Sequence, residues 1–185
     1  MPDQRPFPQL ETENLILREL TLDDLPFYFS HFNKHEIVMG IAFPGPATMD
    51  AARAEFEKNI LDDWRTDSGL RWGIIYKPEG SLVGTCGIYE WDHPSRRAEI
   101  GYDLEPTYWG RGIMTEAVKA MIRHGFTEMG LNRIQAIIDY ANDRSMRLVE
   151  RLGFKQEGVL RQRSYFNGEF RNDIIFCLLH KDWKE

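Results

Sequence analysis

The sequence predicts a single α/β domain on a mixed, mostly antiparallel sheet, and three features carry that expectation. The 185 residues, 42% hydrophobic and 12% aromatic, can fill one core, and no repeat, low-complexity tract or linker divides them. Short strand-like runs bounded by turn signals recur along the chain. One of them leads through a long amphipathic stretch, Ile113 to Met129, into another run, and a strand, crossover helix and strand imply a parallel pair with right-handed connection.

Taken in order, residues 1–9 ("MPDQRPFPQ") read as a polar, proline-rich tail and residues 10–185 as the domain. "ENLILREL", Glu13 to Leu20, reads as a strand, and Thr21 stands as N-cap to a helix with acidic residues in its first turn. A second helix spans about Asp50 to Trp64, where Ala52, Phe56, Ile60 and Trp64 recur every four residues. "LRWGIIY", the turn "KPEGS" and "LVGTCGIYEW" form a hairpin, followed by the strand "RAEIGYDL". After the crossover helix comes the strand Asn132 to Tyr140, then a short helix capped by Asn142 and stopped at Gly153. The last hairpin turns at Asn167–Gly168, a pair suited to a type I′ turn. The tally is about seven strands and about four helices.

Composition narrows the function. A formal net charge of −6 argues against a surface that binds nucleic-acid phosphates and mildly favours cationic partners. The N-terminal residues lack an apolar signal-peptide core, and no 18-residue apolar run suits a membrane helix, so the expectation is a soluble cytoplasmic protein. Cys86 and Cys177 read as buried free thiols, and no cluster of His and Cys has metal-ligand spacing. His31 and His35 lie four apart at the end of the first helix without a third ligand, which suggests solvation or a favourable place at a helix C-terminus; no metal is expected.

The stretch "EPTYWGRGIMTEAV" concentrates the chemistry. Gly110 and Gly112 permit positive φ and close approach of a ligand, and the following helix begins with unpaired N–H groups suited to an anion. Arg111 and the Thr115 hydroxyl can add to such a site, while a tight strand-to-helix turn remains the plain alternative. The loop lacks the closing Lys-Ser/Thr of a P-loop and the third glycine of a dinucleotide fingerprint.

With that loop, "AEIGYDLEPTYWGRGIMTEAVKAMIRHGF" and "LNRIQAIIDYANDRSMRLVERLGFKQEGVLR" resemble the GNAT acetyltransferase superfamily, nearest the RimJ/RimL ribosomal-protein N-terminal acetyltransferases, over residues 10 to 183. The resemblance implies a single GNAT domain with a splayed parallel strand pair and acetyl-CoA as co-substrate. It implies acetyl transfer to a primary amine, first the N-terminal α-amine of a ribosomal or other protein. A small cationic amine such as a polyamine or aminoglycoside is the alternative, and a non-catalytic acyl-CoA sensor is a third reading. A monomer or homodimer is expected.

By the same resemblance the family's Q/R-x-x-G-x-G/A signature falls on Trp109, Gly110, Arg111, Gly112, Ile113 and Met114. Trp109 replaces the usual Gln or Arg and Met114 the usual small residue, so Arg111 and Thr115 are expected to carry more of the pyrophosphate grip. The strand around Asp103 and Leu104 is expected to pair with the pantetheine arm and to offer one N–H to the thioester oxygen. Asn142 is expected to contact pantetheine and Ser145 to assist the departing thiolate, although both also suit helix capping. The family's usual acid, a tyrosine, is Val149 here, leaving Ser145 first and Tyr140 and Tyr165 as lesser candidates. Glu99, in the strand leading to the loop and alternating onto the side of Gly101 and Asp103, is the expected base, acting through water, with a paired structural glutamate as the plain alternative; Ser164 occupies the position of the glutamate some relatives use. Trp64, Tyr165 and Phe166 either line the acceptor side or fill core.

Overall fold

The computed structural model describes residues 6–184. Its strands β1 (Leu10–Glu11), β2 (Leu15–Glu19), β3 (Leu70–Tyr76), β4 (Ser81–Asp92), β5 (Arg97–Leu104), β6 (Arg133–Asp139), β7 (Lys155–Phe166) and β8 (Glu169–Leu179) form one sheet. The order is β1-β2-β3-β4-β5-β6-β8-β7, and every neighbouring pair is antiparallel except β5 with β6. The strand count exceeds the expected seven by the two-residue β1, too short to show alternation.

The parallel pair is brief. Arg97, Ala98 and Glu99 pair with Arg133, Ile134 and Gln135, after which β6 continues only with β8 and β5 only with β4. From Ile100 to Leu104 one side of β5 is therefore an unpaired edge inside the sheet. Such an edge offers N–H and C=O groups that want partners.

The four expected helices are present as α1 (Leu25–Phe32), α3 with α4 (Met49–Phe56, Asp62–Arg65), α5 (Ile113–Thr127) and α6 (Asp143–Arg151). Between α3 and α4, Glu57–Leu61 forms a π turn. A strict four-residue repeat drifts around an α-helix of 3.6 residues per turn, and the wider π turn takes up that drift. Ala52, Phe56 and Ile60 thus stay buried on one face. The unexpected helix is α2 (His35–Ile41), seven residues that end on Ala42 in the left-handed region at φ 52°.

Helix α5 packs its apolar face on the main core, where Val118, Met121 and Ile122 meet Ile88, Ala98 and Ile100. The odd-numbered residues of β5 face the other side of the sheet, toward α1. Within the expected N-terminal tail, residues 1–9, Phe7 stacks edge-on against Trp64 and Trp72, and the Trp72 indole donates to Pro8 O at 2.6 Å. Residues 1–5 of that tail lie outside the described residues. The Asn167–Gly168 turn has φ of 50° and 84°, as type I′ requires. Cys86 and Cys177 are buried free thiols; burial pushes Cys86 well up and Cys177 to about 11. Among the described residues no helix is long and apolar enough to cross a membrane.

Candidate functional site

After β5 the chain makes a 3-10 turn at Pro106–Tyr108 and enters α5 through Trp109 to Gly112. Gly110 and Gly112 have φ of 77° and 79°, with open space where a Cβ would stand. The backbone conformation, not crowding by the protein, demands glycine there. The first intrahelical bond of α5 runs from Glu116 N to Gly112 O at 3.0 Å, leaving the N–H groups of Ile113, Met114 and Thr115 without intrahelical acceptors. Those donors and the helix dipole suit an anion.

A cavity of about 1310 Å³ opens at this helix start and runs between α2, the end of β5 and the start of α6. Every residue expected to touch the cofactor lines it except Arg111, whose guanidinium lies 5.0 Å from the Tyr108 ring centroid. The cationic walls come instead from Lys119, Arg144, Arg147 and Arg151. The sequence reading missed these four; their i, i+3 and i+4 spacing on α6 is the signal that could have found three of them.

Trp109 fastens the loop at two points. Its indole donates to Leu104 O at 2.8 Å, and the Arg144 guanidinium lies 3.5 Å from its ring centroid. Met114 is buried in the main core and also lines the cavity at the helix start. Just after β5, Glu105 N donates to Val83 O at 2.8 Å, and backbone alternation turns the Leu104 N–H the opposite way, toward the unpaired edge. The Asp103 side chain points elsewhere: its carboxylate accepts from His31, Arg71 and Thr85.

A second cavity of about 400 Å³ meets the first at Gly40, Ile41, Tyr102, Asn142 and Ser145. At that junction Ser145 Oγ lies 2.7 Å from the Tyr102 hydroxyl. Burial pushes Tyr102 up to about 12, against the opposing effect of the Ser145 bond. Asn142 uses both ends of its amide within the protein: Oδ1 accepts from Ser145 N at 3.0 Å and Nδ2 donates to Gly40 O at 2.7 Å. It caps α6 and ties it to the end of α2.

Several expected residues lie elsewhere. Tyr140 and Tyr165 are exposed and line neither cavity; Phe166 is buried and Trp64 packs on Phe7. Glu99 is only 7% exposed and also lines neither cavity. Its Oε1 accepts from the Tyr89 hydroxyl at 3.2 Å and its Oε2 from Gln135 Nε2 at 3.3 Å. Burial raises its pKa, and that of Tyr89 as well. Tyr89 does line the second cavity, with its hydroxyl against Gly101, where a Cβ would stand 2.9 Å from the oxygen. The cross-strand pairing of Tyr89 with Glu99 links the glutamate to the cavity.

His31 stands in the last turn of α1, as expected, but is not solvated. It is fully buried, with Nε2 2.8 Å from Asp103 Oδ1 and Nδ1 2.8 Å from Glu105 Oε1. Burial alone would lower its pKa; the bonds and charges of Asp103 and Glu105 outweigh burial and raise it. Burial likewise opposes both carboxylates, yet His31 and Arg71 hold Asp103 low, and Lys34 and His31 hold Glu105 low. Lys34 also bonds Glu105 directly. This cluster braces the two residues that flank Leu104.

Residues 14–155 match the family described as the acetyltransferase (GNAT) domain. The uncharacterized N-acetyltransferase YoaA of Bacillus subtilis is 35% identical over 173 residues, covering 94% of this chain and 97% of its own. Among solved structures, the ribosomal-protein-S5-alanine acetyltransferase of Vibrio fischeri superposes with a TM-score of 0.83 at 24% identity, covering 97% of this chain and 100% of its own. The spermidine N-acetyltransferase of Vibrio cholerae, in complex with CoA and spermine, superposes with a TM-score of 0.82 at 20% identity, covering 92% and 98%.

Proposed function

Because the chain belongs to the acetyltransferase (GNAT) domain family and is an acetyl-CoA-dependent N-acetyltransferase, we propose that it acetylates the N-terminal α-amine of a protein, ribosomal proteins being the first class. The observation that carries this reading is the meeting of two cavities at the Ser145–Tyr102 pair, one suited to a thioester and one to an amine.

On the cofactor side, the bare N–H groups at the start of α5 and Thr115 would hold pyrophosphate. Lys119, Arg147 and Arg151 would meet the remaining phosphate charge. The open edge of β5 would pair with the pantetheine amides, and the Leu104 N–H would polarise the thioester carbonyl. The acceptor amine then attacks the acetyl carbon directly, with no covalent enzyme intermediate. Ser145, bonded to Tyr102, would hydrogen-bond or protonate the departing thiolate.

Base strength favours the α-amine. Glu99 reaches the acceptor cavity only through the Tyr89 hydroxyl, a weak relay. An α-amine with pKa near 8 is about one tenth neutral at pH 7, whereas an amine near 10.4 is neutral in roughly one molecule in 2,500. The second reading, a small cationic amine, is favoured by Glu55, which lines the smaller cavity and has no ion-pair or hydrogen-bond partner among the described residues. A panel of N-terminal peptides, polyamines and aminoglycosides, followed by release of CoA thiol, separates the two. Faster turnover of α-amine peptides is expected; turnover of polyamines alone overturns the reading. Tight CoA binding with no turnover at all would favour a sensor.

A further inference from the structure

The smaller cavity holds a cation that acetyl transfer does not use. Arg71 on β3 lines it with a side chain 25% exposed. Two arms of its guanidinium are fixed in the sheet, Nε to Thr85 Oγ1 at 2.8 Å and Nη2 to Asp103 Oδ2 at 2.9 Å. The side chain lies across Gly87, where a Cβ would stand 3.1 Å from Arg71 Cγ, so only glycine leaves this path open. Its third nitrogen, Nη1, has no hydrogen-bond partner among the described residues.

Asp103 does not need this arginine for satisfaction alone, since His31, Thr85 N and Thr85 Oγ1 already donate to it. Arg71 shares Asp103 with His31, and Lys34 shares Glu105 with it, so each carboxylate already has a second partner. Of the carboxylates that line the cavity, Asp139 already accepts from Arg171 at 3.3 Å and from Ala141 N at 2.7 Å, and Glu55 makes no ion pair with Arg71. Tyr28, Phe32 and Tyr89 line the same cavity as Arg71, with the guanidinium carbon 6.0 Å from the Phe32 ring centroid.

We propose that Arg71 is a subsite for a carboxylate carried by the acceptor near its reacting amine, a proposal that rests on the α-amine reading above. Arg71, Gly87 and Gly101 stand in register on adjacent strands, so the guanidinium lies one to two strand spacings from the open edge of β5, about 5 to 10 Å. One or two residues of peptide at about 3.8 Å each cover that distance. The carboxylate can therefore be an acidic side chain at the second residue or the α-carboxylate of a dipeptide.

Paired acceptors test this on the wild type, Arg71→Gln and Arg71→Lys. One pair is an N-terminal peptide with Asp or Asn at its second residue, its C-terminus amidated; the other is an Ala-Gly dipeptide as acid or amide. Spermidine is the control. The wild type is expected to favour the carboxylate member of at least one pair by roughly tenfold to a hundredfold in kcat/KM. The pair that shows the preference names the source of the carboxylate. Arg71→Gln should bring the ratio to about 1, and Arg71→Lys, a point charge without the fork, should keep part of it. Because each ratio compares two acceptors on the same protein, loss of folded enzyme cancels. A wild-type ratio near 1 in both pairs, or a preference that Arg71→Gln leaves intact, overturns the Arg71 assignment while peptide turnover upholds the α-amine reading. Turnover of spermidine without any peptide overturns that reading itself.

Discussion

The larger cavity takes the backbone donors of its anion-facing end from one local segment, the loop and first turn of α5, whereas the smaller takes walls from Tyr28, Glu55, Arg71, Tyr89 and Asp139, which stand on five separate elements. The first depends on local backbone chemistry: positive φ at two glycines and a helix that starts with bare donors. The second depends on packing and buried charge, with His31, Arg71 and Lys34 bracing the end of β5 from α1 and β3. A local site should fail sharply and alone, while a distributed one should fail together with stability.

The sharpest break comes from Gly112→Glu. It puts a side chain at φ 79° and a carboxylate where an anion should sit, and CoA affinity is expected to fall more than a hundredfold by titration calorimetry, with the far-ultraviolet circular dichroism of the folded protein kept. Survival of CoA binding would detach the loop from the cofactor.

Next in size, His31→Ala leaves Asp103 and Glu105 facing each other without their bridge, and chemical denaturation should show a loss of about 3 to 5 kcal/mol. The pH dependence sharpens this contrast. The folded pKa of His31 is raised, so its stabilisation is full below about 6.5 and is lost as pH rises through the higher folded value. Those of Asp103 and Glu105 are lowered, so their contribution is present above about 4 and is lost as pH falls through the lower folded values. Tm plotted against pH should show both limbs, and the alkaline one should vanish in His31→Ala.

A smaller effect belongs to the junction. Ser145→Ala should lower kcat by about tenfold to a hundredfold with CoA affinity little changed, in a single-turnover assay. Unchanged turnover would remove the Ser145–Tyr102 pair from the chemistry. Smallest of all, Trp109→Phe keeps a ring for Arg144 and loses the indole bond to Leu104 O, which should cost about 1 kcal/mol in CoA binding or stability.

The same contrast explains what could be read in the sequence. The hairpins, the crossover and both glycines of the loop announce themselves through alternation, turn residues and capping within a few positions. Helix α2 does not, because seven residues with an internal Gly40 make a poor isolated helix and Asn142, 102 positions away, bonds its end. His31 reads as a surface histidine because its carboxylates lie 72 and 74 residues downstream. Glu99 reads as a cavity carboxylate because alternation gives its face, but not the Tyr89 ring that stands between it and the open space. Arg111 reads as a phosphate ligand from its place between two glycines, while the structure turns it onto Tyr108.

The two buried cysteines have a practical corollary for all of these assays. Aromatic disulfide reagents are attacked by thiolates, and Cys86 and Cys177 are both enclosed and held protonated at neutral pH. The folded enzyme should therefore contribute almost no colour of its own, so that the chromophore released in such an assay counts free CoA, turnover by turnover. An abrupt rise in the enzyme-only blank would in turn signal unfolding, which gives every variant an internal control in the same cuvette.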